Sequence, residues 1–348
     1  GSSHVYKIPF IFYLVKRGMS MRFSPSARAS RLTFPPMLRI MKAPKRVFFM
    51  RHAWLIITHG NFEILEKQLR FLDSENADLF IHVDARVKGF DFAHFHSIPR
   101  KSRVTFLDRE PISWGHFSQV DCELRLLCAA VPGRYDYYHL LSGVDVPVKT
   151  RQYIENYFSS VRPGTNFVHF QHKEILRDHH DRVKFYYPLQ RWNLQNRIIR
   201  LALRRTGELL QRPFVDRTKK DPEGYVFQKG ANWFSITHAL AAYVLSQEDW
   251  LRERYRSTFC ADEIFLQTLV VNSPFRDTLP SDYFGDDHKT CLRYIDWQRG
   301  KPYSFRNEDY SELIATPPEY LFARKFDYRT NAEVVDRLFA HFGEEASD

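Results

Sequence analysis

The stretch "HAWLIITHGN", His52 to Asn61, decides the fold. Its apolar run, Ala53 to Ile57, has no polar side, which is the pattern of a strand covered on both faces. Gly60 marks a turn, and Phe62, Leu65, Leu69 and Leu72 then follow at helical spacing. Working outward, "ADLFIHVD" (Ala77 to Asp84) reads as a second apolar strand, ending in a carboxylate. "RVTFL" (Arg103 to Leu107) reads as a third. Ser118 to Val131 is predicted helical, with Val120, Leu124, Leu127 and Val131 on one stripe. "YYHLLSGVDVP" (Tyr137 to Pro147) is a strand that stops at Ser-Gly, and "NFVHF" (Asn166 to Phe170) is another short one. Strands alternating with helices predict an α/β fold, with a mostly parallel central sheet and helices on both faces. Ligands bind such sheets at the carboxyl ends of the strands. Those ends carry His59, Asp84 and Asp145. Neither G-x-G-x-x-G nor a Walker loop is present, so no dinucleotide or ATP cradle is indicated.

The chain has 348 residues and a net charge of +10. That charge suggests nucleic acid until it is located. Of the 51 Lys and Arg, ten lie in residues 1–49, which hold no Asp or Glu; the other 41 match the 41 acids. Residues 1–49 therefore read as a basic, disordered arm, and residues 50–345 as a single domain. Aromatics are not interleaved with the charges of the arm, so no nucleic-acid partner is expected. Its one apolar patch, Ile8 to Val15, is far short of the roughly 20 residues that span a bilayer. Cys122, Cys128, Cys260 and Cys291 show no C-x-x-C spacing, which favours a reduced, cytoplasmic setting. "RWNLQNRIIRLALRRTGELLQR", Arg191 to Arg212, is a helix with six Arg and an apolar stripe. It reads either as a solvated surface helix or as a face for the inner surface of a membrane.

"FCADEIFLQTLVV", Phe259 to Val271, carries the chemistry. Asp262 suits a helix N-cap and Glu263 a first turn. Alternatively, Glu263 faces a cleft as a general base. "CLRYIDW" sets Arg293 in an apolar run, and "LFARKFD" sets Arg324 and Lys325 in another. Such cations need anionic partners: a structural carboxylate, or a diphosphate, which an Arg and a Lys together suit. No Asp-x-Asp ends a strand. His82 and Asp84 alone make a weak metal pair, and Asp286-Asp287 reads as a solvated loop.

Taken in order, "LIITHGNFEILEKQL", "IHVD", "ISWGHFSQV", "HLLSGVDVPVKT", "KGANWFSIT", "ADEIFLQTLVVNS", "LRYIDW" and "LFARKFD" resemble glycosyltransferase family 14. This branching family includes core-2 β-1,6-N-acetylglucosaminyltransferases and peptide O-xylosyltransferases. The similarity covers roughly Ala53 to Phe339. It implies an A-type nucleotide-sugar glycosyltransferase fold, a UDP-sugar donor, inversion at the anomeric carbon, and no metal or other cofactor. By this resemblance Glu263 is the base, and Arg293 and Lys325 hold the diphosphate. His59 and Asp84 would contact uridine, and Trp114 and Asp145 would line the donor sugar. Lys173, Arg177, Arg182 and Trp233 would face a carbohydrate or glycoconjugate acceptor. The scarcity of cysteines points to a bacterial-type member. Two alternatives stay open: a transferase in which Asp84 or Asp145 holds Mn²⁺, and a non-catalytic carbohydrate- or nucleotide-binding protein on the same fold.

Overall fold

Strand β1 (His52–Thr58) is central: it pairs in parallel with a strand on each side and is buried along almost its whole length. Trp54 and Ile56 point into one core with Leu65 and Leu69 of the helix Phe62–Leu72. Ala53 and Leu55 point into the other, with Val120, Leu124 and Leu127 of the helix Ser118–Ala130. The period-2 alternation of a strand thus divides one apolar run between two helical layers. Leu55 is fully buried; truncating such a side chain to Ala costs about 2–5 kcal/mol.

The computed structural model describes residues 49–171, 177–192, 196–281 and 284–343. The basic arm up to residue 48 and Lys173 lie outside the described residues, as does the side chain of Arg177. The central sheet adds β2 (Ala77–Val83), β3 (Val104–Phe106) and β4 (Tyr137–Ser142). With them stand β6 (Phe167–Val168) and β7 (Phe234–Thr237), while β5 (Val146–Pro147) belongs to a second sheet. The order is β3-β2-β1-β4-β7-β6. Strands β1 to β4 pair in parallel, β7 runs antiparallel to β4, and β6 runs antiparallel to β7. The expected α/β architecture, a mostly parallel sheet with helices on both faces, is the observed one. The antiparallel strand β7 was not read from "FSIT", a segment too short to show a period.

After β4 the chain turns at Gly143 and enters the second sheet, formed by β5 (Val146–Pro147), β8 (Arg293–Ile295) and β9 (Phe322–Arg324) in the order β5-β9-β8. The turn requires glycine, since a Cβ at Gly143 would lie 2.4 Å from Thr58 Oγ1. Asp145 locks it by accepting from the Ser142 amide at 2.6 Å and the Ser142 hydroxyl at 3.1 Å. This small sheet brings "LFARKFD" to the carboxyl end of β4.

Candidate active site

The carboxyl ends of β1 and β2 gather His59, Asp84 and Arg86. Asp84 is buried and receives Arg86 in a bidentate pair, with Nε at 2.9 Å and Nη2 at 2.7 Å. It also accepts the Ile112 amide at 3.0 Å. Burial alone would raise its carboxyl; the Arg86 hydrogen bonds and the backbone amides outweigh burial and hold it at about 2. Asp84 therefore fastens the loops beside the cleft, and its oxygens are already engaged by protein donors. For His59, desolvation lowers the imidazole, Asp84 opposes this, and Lys325 and Arg86 lower it further. Lys325 is exposed and sits in the electrostatic neighbourhood of His59.

Arg293, expected at the diphosphate, lies deep in the protein. Arg293 is 1% exposed, and its guanidinium donates to the carbonyls of Cys291 at 3.1 Å and Leu140 at 3.0 Å. It serves the junction of the two sheets. Arg324 is less deeply buried, at 14% side-chain exposure. Its Nη1 reaches Asp145 Oδ1 and Ser142 Oγ, both at 3.2 Å, and its guanidinium lies 3.9 Å from the centre of the Trp233 ring. Register explains the difference. Arg293 pairs with Phe322 and Ile295 with Arg324. Both cations lie on one face of a parallel pair, but Arg324 is two residues nearer the carboxyl ends, about 7 Å along the strand. Asp145, expected beside the donor sugar, is fully buried and is the counter-ion of Arg324.

Glu263 ends a short turn, Ala261–Glu263, entered through a left-handed Cys260. The following helix is Phe265–Val271, its N-cap is Ile264, and no side chain caps it. Neither Asp262 nor Glu263 is a cap. Glu263 Oε2 lies 2.9 Å from Arg182 Nη1 and 3.3 Å from Lys229 Nζ. Among the described residues no hydrogen bond reaches Oε1. Beneath it Asp262 is 6% exposed and accepts from Gln119 Nε2 at 3.0 Å. Burial first, and then the charge of Glu263, raises the Asp262 carboxyl to about 7. Glu123 is fully buried and raised well above the carboxylate range by burial and then by Asp262. The three acids thus grade from a paired surface carboxylate to a buried neutral acid.

One segment joins the acid to the cation. The Gly230 amide donates to the Glu263 carbonyl at 2.9 Å, and three residues on Trp233 supports Arg324. Three peptide units span at most about 11 Å, so one short segment ties the backbone of Glu263 to the ring that supports Arg324. Gly230 permits the approach, because a Cβ there would lie 1.8 Å from the His169 carbonyl oxygen. Trp114 sits elsewhere, edge-on to Phe259 at 5.6 Å. It lines a cavity of about 680 Å³, counting its open mouth, with Tyr186, Pro188, Arg200, Arg204 and Gln211. Phe259 also carries Arg182 over its ring at 5.2 Å, which sets this cavity beside Glu263.

The family model described as Branch: Core-2/I-Branching enzyme matches residues 52–314. The chain belongs to this family. It is 26% identical over 317 residues to human xylosyltransferase 2, covering 84% of this chain and 34% of that protein. Dog xylosyltransferase 2 gives 25% over 313 residues, covering 84% and 34%, and mouse xylosyltransferase 1 gives 24% over 314 residues, covering 83% and 30%. The chain spans about a third of the length of these relatives.

In this Core-2/I-Branching family chain, one group among the described residues is close enough to hold a cation: His169, Asp286 and His288, whose ligand atoms fall within 4.8 Å. Its wiring opposes a metal. His169 Nδ1 accepts the Ala231 amide at 2.8 Å, so the neutral ring carries its proton on Nε2, the atom 3.2 Å from Asp286. A protonated nitrogen offers no lone pair. His288 Nε2 accepts from Trp297 Nε1 at 3.1 Å, and burial, followed by His169, lowers this imidazole to about 4. Asp286 and Asp287, read from sequence as a solvated loop, are exposed, and Asp286 Oδ1 also lies 3.2 Å from His169 Nε2. Sequence reasoning missed Lys229 and the part played by Arg324, although Arg324 had been marked as a cation in an apolar run. Arg182, expected at the acceptor, has its Nη1 2.9 Å from Glu263 Oε2.

Proposed function

We propose that the chain is an inverting glycosyltransferase that moves a sugar, N-acetylglucosamine or xylose, from a UDP-sugar to a hydroxyl of a carbohydrate or glycoconjugate. The observation that carries this reading is the seat of Glu263. It caps no helix, and among the described residues two cations meet its Oε2 while no hydrogen bond reaches Oε1, the oxygen this reading assigns to an incoming hydroxyl. The family and its xylosyltransferase relatives support sugar transfer as the chemistry.

In this mechanism Glu263 Oε1 takes the acceptor proton as the acceptor oxygen attacks C1 of the sugar. The bond from C1 to UDP breaks, and negative charge gathers on the leaving diphosphate. Arg324 and Lys325 meet it, doing without a metal what a divalent ion does in other transferases. Arg182 and Lys229 balance Glu263 and fix its direction. Removing a general base costs about 10²–10⁴-fold in rate. Glu263→Gln should therefore lose about that factor in turnover with UDP-N-acetylglucosamine or UDP-xylose, while UDP affinity by calorimetry changes little. Unchanged turnover would remove Glu263 from the mechanism.

A further inference from the structure

The helix Arg197–Gln211 is inside out. At about 100° per residue, Ile198, Ala202 and Leu209 share one line, with Ile199, Leu203 and Leu210 beside it. Ile198 is 78% exposed, Leu209 67% and Leu210 69%. The opposite side, which meets the body of the protein, is polar. There Glu208 is buried and accepts from the Tyr187 hydroxyl at 3.1 Å, and Gln211 exchanges hydrogen bonds with the backbone of Tyr186 at 2.8 and 2.9 Å. A solvated surface helix shows the reverse arrangement. Phe214, just beyond, is 88% exposed and extends the apolar face.

We propose that this outer face lies on an anionic lipid bilayer. Charge selects the occupant. Arg205 and Arg212 are exposed at the rim, Lys219 and Lys220 are exposed beyond it, and the helix's one acid, Glu208, is buried. A second copy would oppose these rims like to like. Residues 1–49, with ten Lys or Arg and no acid, are repelled by the same rim but suit the same anionic surface. No described helix is long and apolar enough to cross a membrane, so the helix rests in the interface plane. Arg200 and Arg204, on its inner side, line the cavity beside Glu263. Docking therefore places that cavity one helix diameter, roughly 10 Å, from the lipid surface.

The test is flotation of the full chain with vesicles of phosphatidylcholine, with and without phosphatidylglycerol. Binding should need phosphatidylglycerol and weaken with salt. The triple variant Ile198→Ser, Leu209→Ser, Leu210→Ser alters only exposed positions. It should bind at least about tenfold more weakly with an unchanged circular dichroism spectrum and melting temperature. Three results would overturn the proposal: no flotation of the native chain with anionic vesicles; equal flotation of the triple variant, which assigns binding to another segment; or a dimer in sedimentation that the triple variant abolishes without any vesicle binding.

Discussion

Arg324 holds its guanidinium carbon 3.9 Å from the centre of the Trp233 ring, while its Nη1 reaches the buried Asp145 at 3.2 Å. One guanidinium is thus held on two sides at the carboxyl end of β4, with its orientation set before any ligand arrives. Preorganisation of this kind lowers the cost of meeting developing charge.

Arg324 and Arg293 should separate in experiment. Charge-assisted hydrogen bonds contribute about 1.5–3 kcal/mol, so Arg324→Gln should weaken UDP binding about ten- to hundredfold in calorimetry on folded protein. Arg293→Gln removes a buried donor from the Cys291 and Leu140 carbonyls. It should lower unfolding free energy by about 1–3 kcal/mol in urea, with the folded fraction binding UDP normally. The opposite pattern would return Arg293 to the diphosphate.

Asp262 should give stability an unusual pH slope. Its carboxyl is raised to about 7 by burial and by Glu263, against about 4 in an unfolded chain. Between those values the folded state holds a proton that the unfolded state has released. This contribution is therefore fully present below about pH 4 and is lost as pH rises through about 7. Asp262→Asn cannot acquire that buried charge. Its stability relative to wild type, followed by urea denaturation, should grow as pH rises across that window. A constant difference would contradict the assignment.

Gly230 has no room for a side chain. In Gly230→Ala the new Cβ would meet the His169 carbonyl oxygen at 1.8 Å, so backbone must move on one side. The Gly230 amide bond to the Glu263 carbonyl is the nearest link to give way. Overpacking costs about 1–3 kcal/mol, and turnover should fall more than UDP affinity, because the acid moves while Arg324 stays. Parallel kinetics and calorimetry read both.

Chelation should leave the reaction intact. If Arg324 and Lys325 carry the charge of the leaving group, dialysis against EDTA leaves turnover with a UDP-sugar unchanged, and added Mn²⁺ does not raise it. Loss of activity restored by Mn²⁺ would favour the metal-dependent alternative instead.

The strands β1, β2 and β4 and the helix Phe62–Leu72 were legible in the sequence because their signal is local. An apolar run buried on both faces, or a stripe at helical spacing, survives without its neighbours. The cleft was legible only in part. Glu263 could be singled out, and so could the three cations of "CLRYIDW" and "LFARKFD". Lys229 opens the motif "KGANWFSIT", but nothing in that segment shows that its ammonium turns to Glu263.

By itself the sequence determined the layered α/β plan, the family, and a short set of charged residues at the strand ends. Tertiary structure decided which of those charges point where. Arg293 and Arg324 have the same side-chain direction in a three-residue strand, and only the β8–β9 register puts Arg324 two residues nearer the carboxyl ends than Arg293. Long-range packing likewise decided that Arg182 and Lys229 close on Glu263, and that Asp262 sinks beneath it. Such pairings join residues far apart in the chain, so no periodicity within either segment records them.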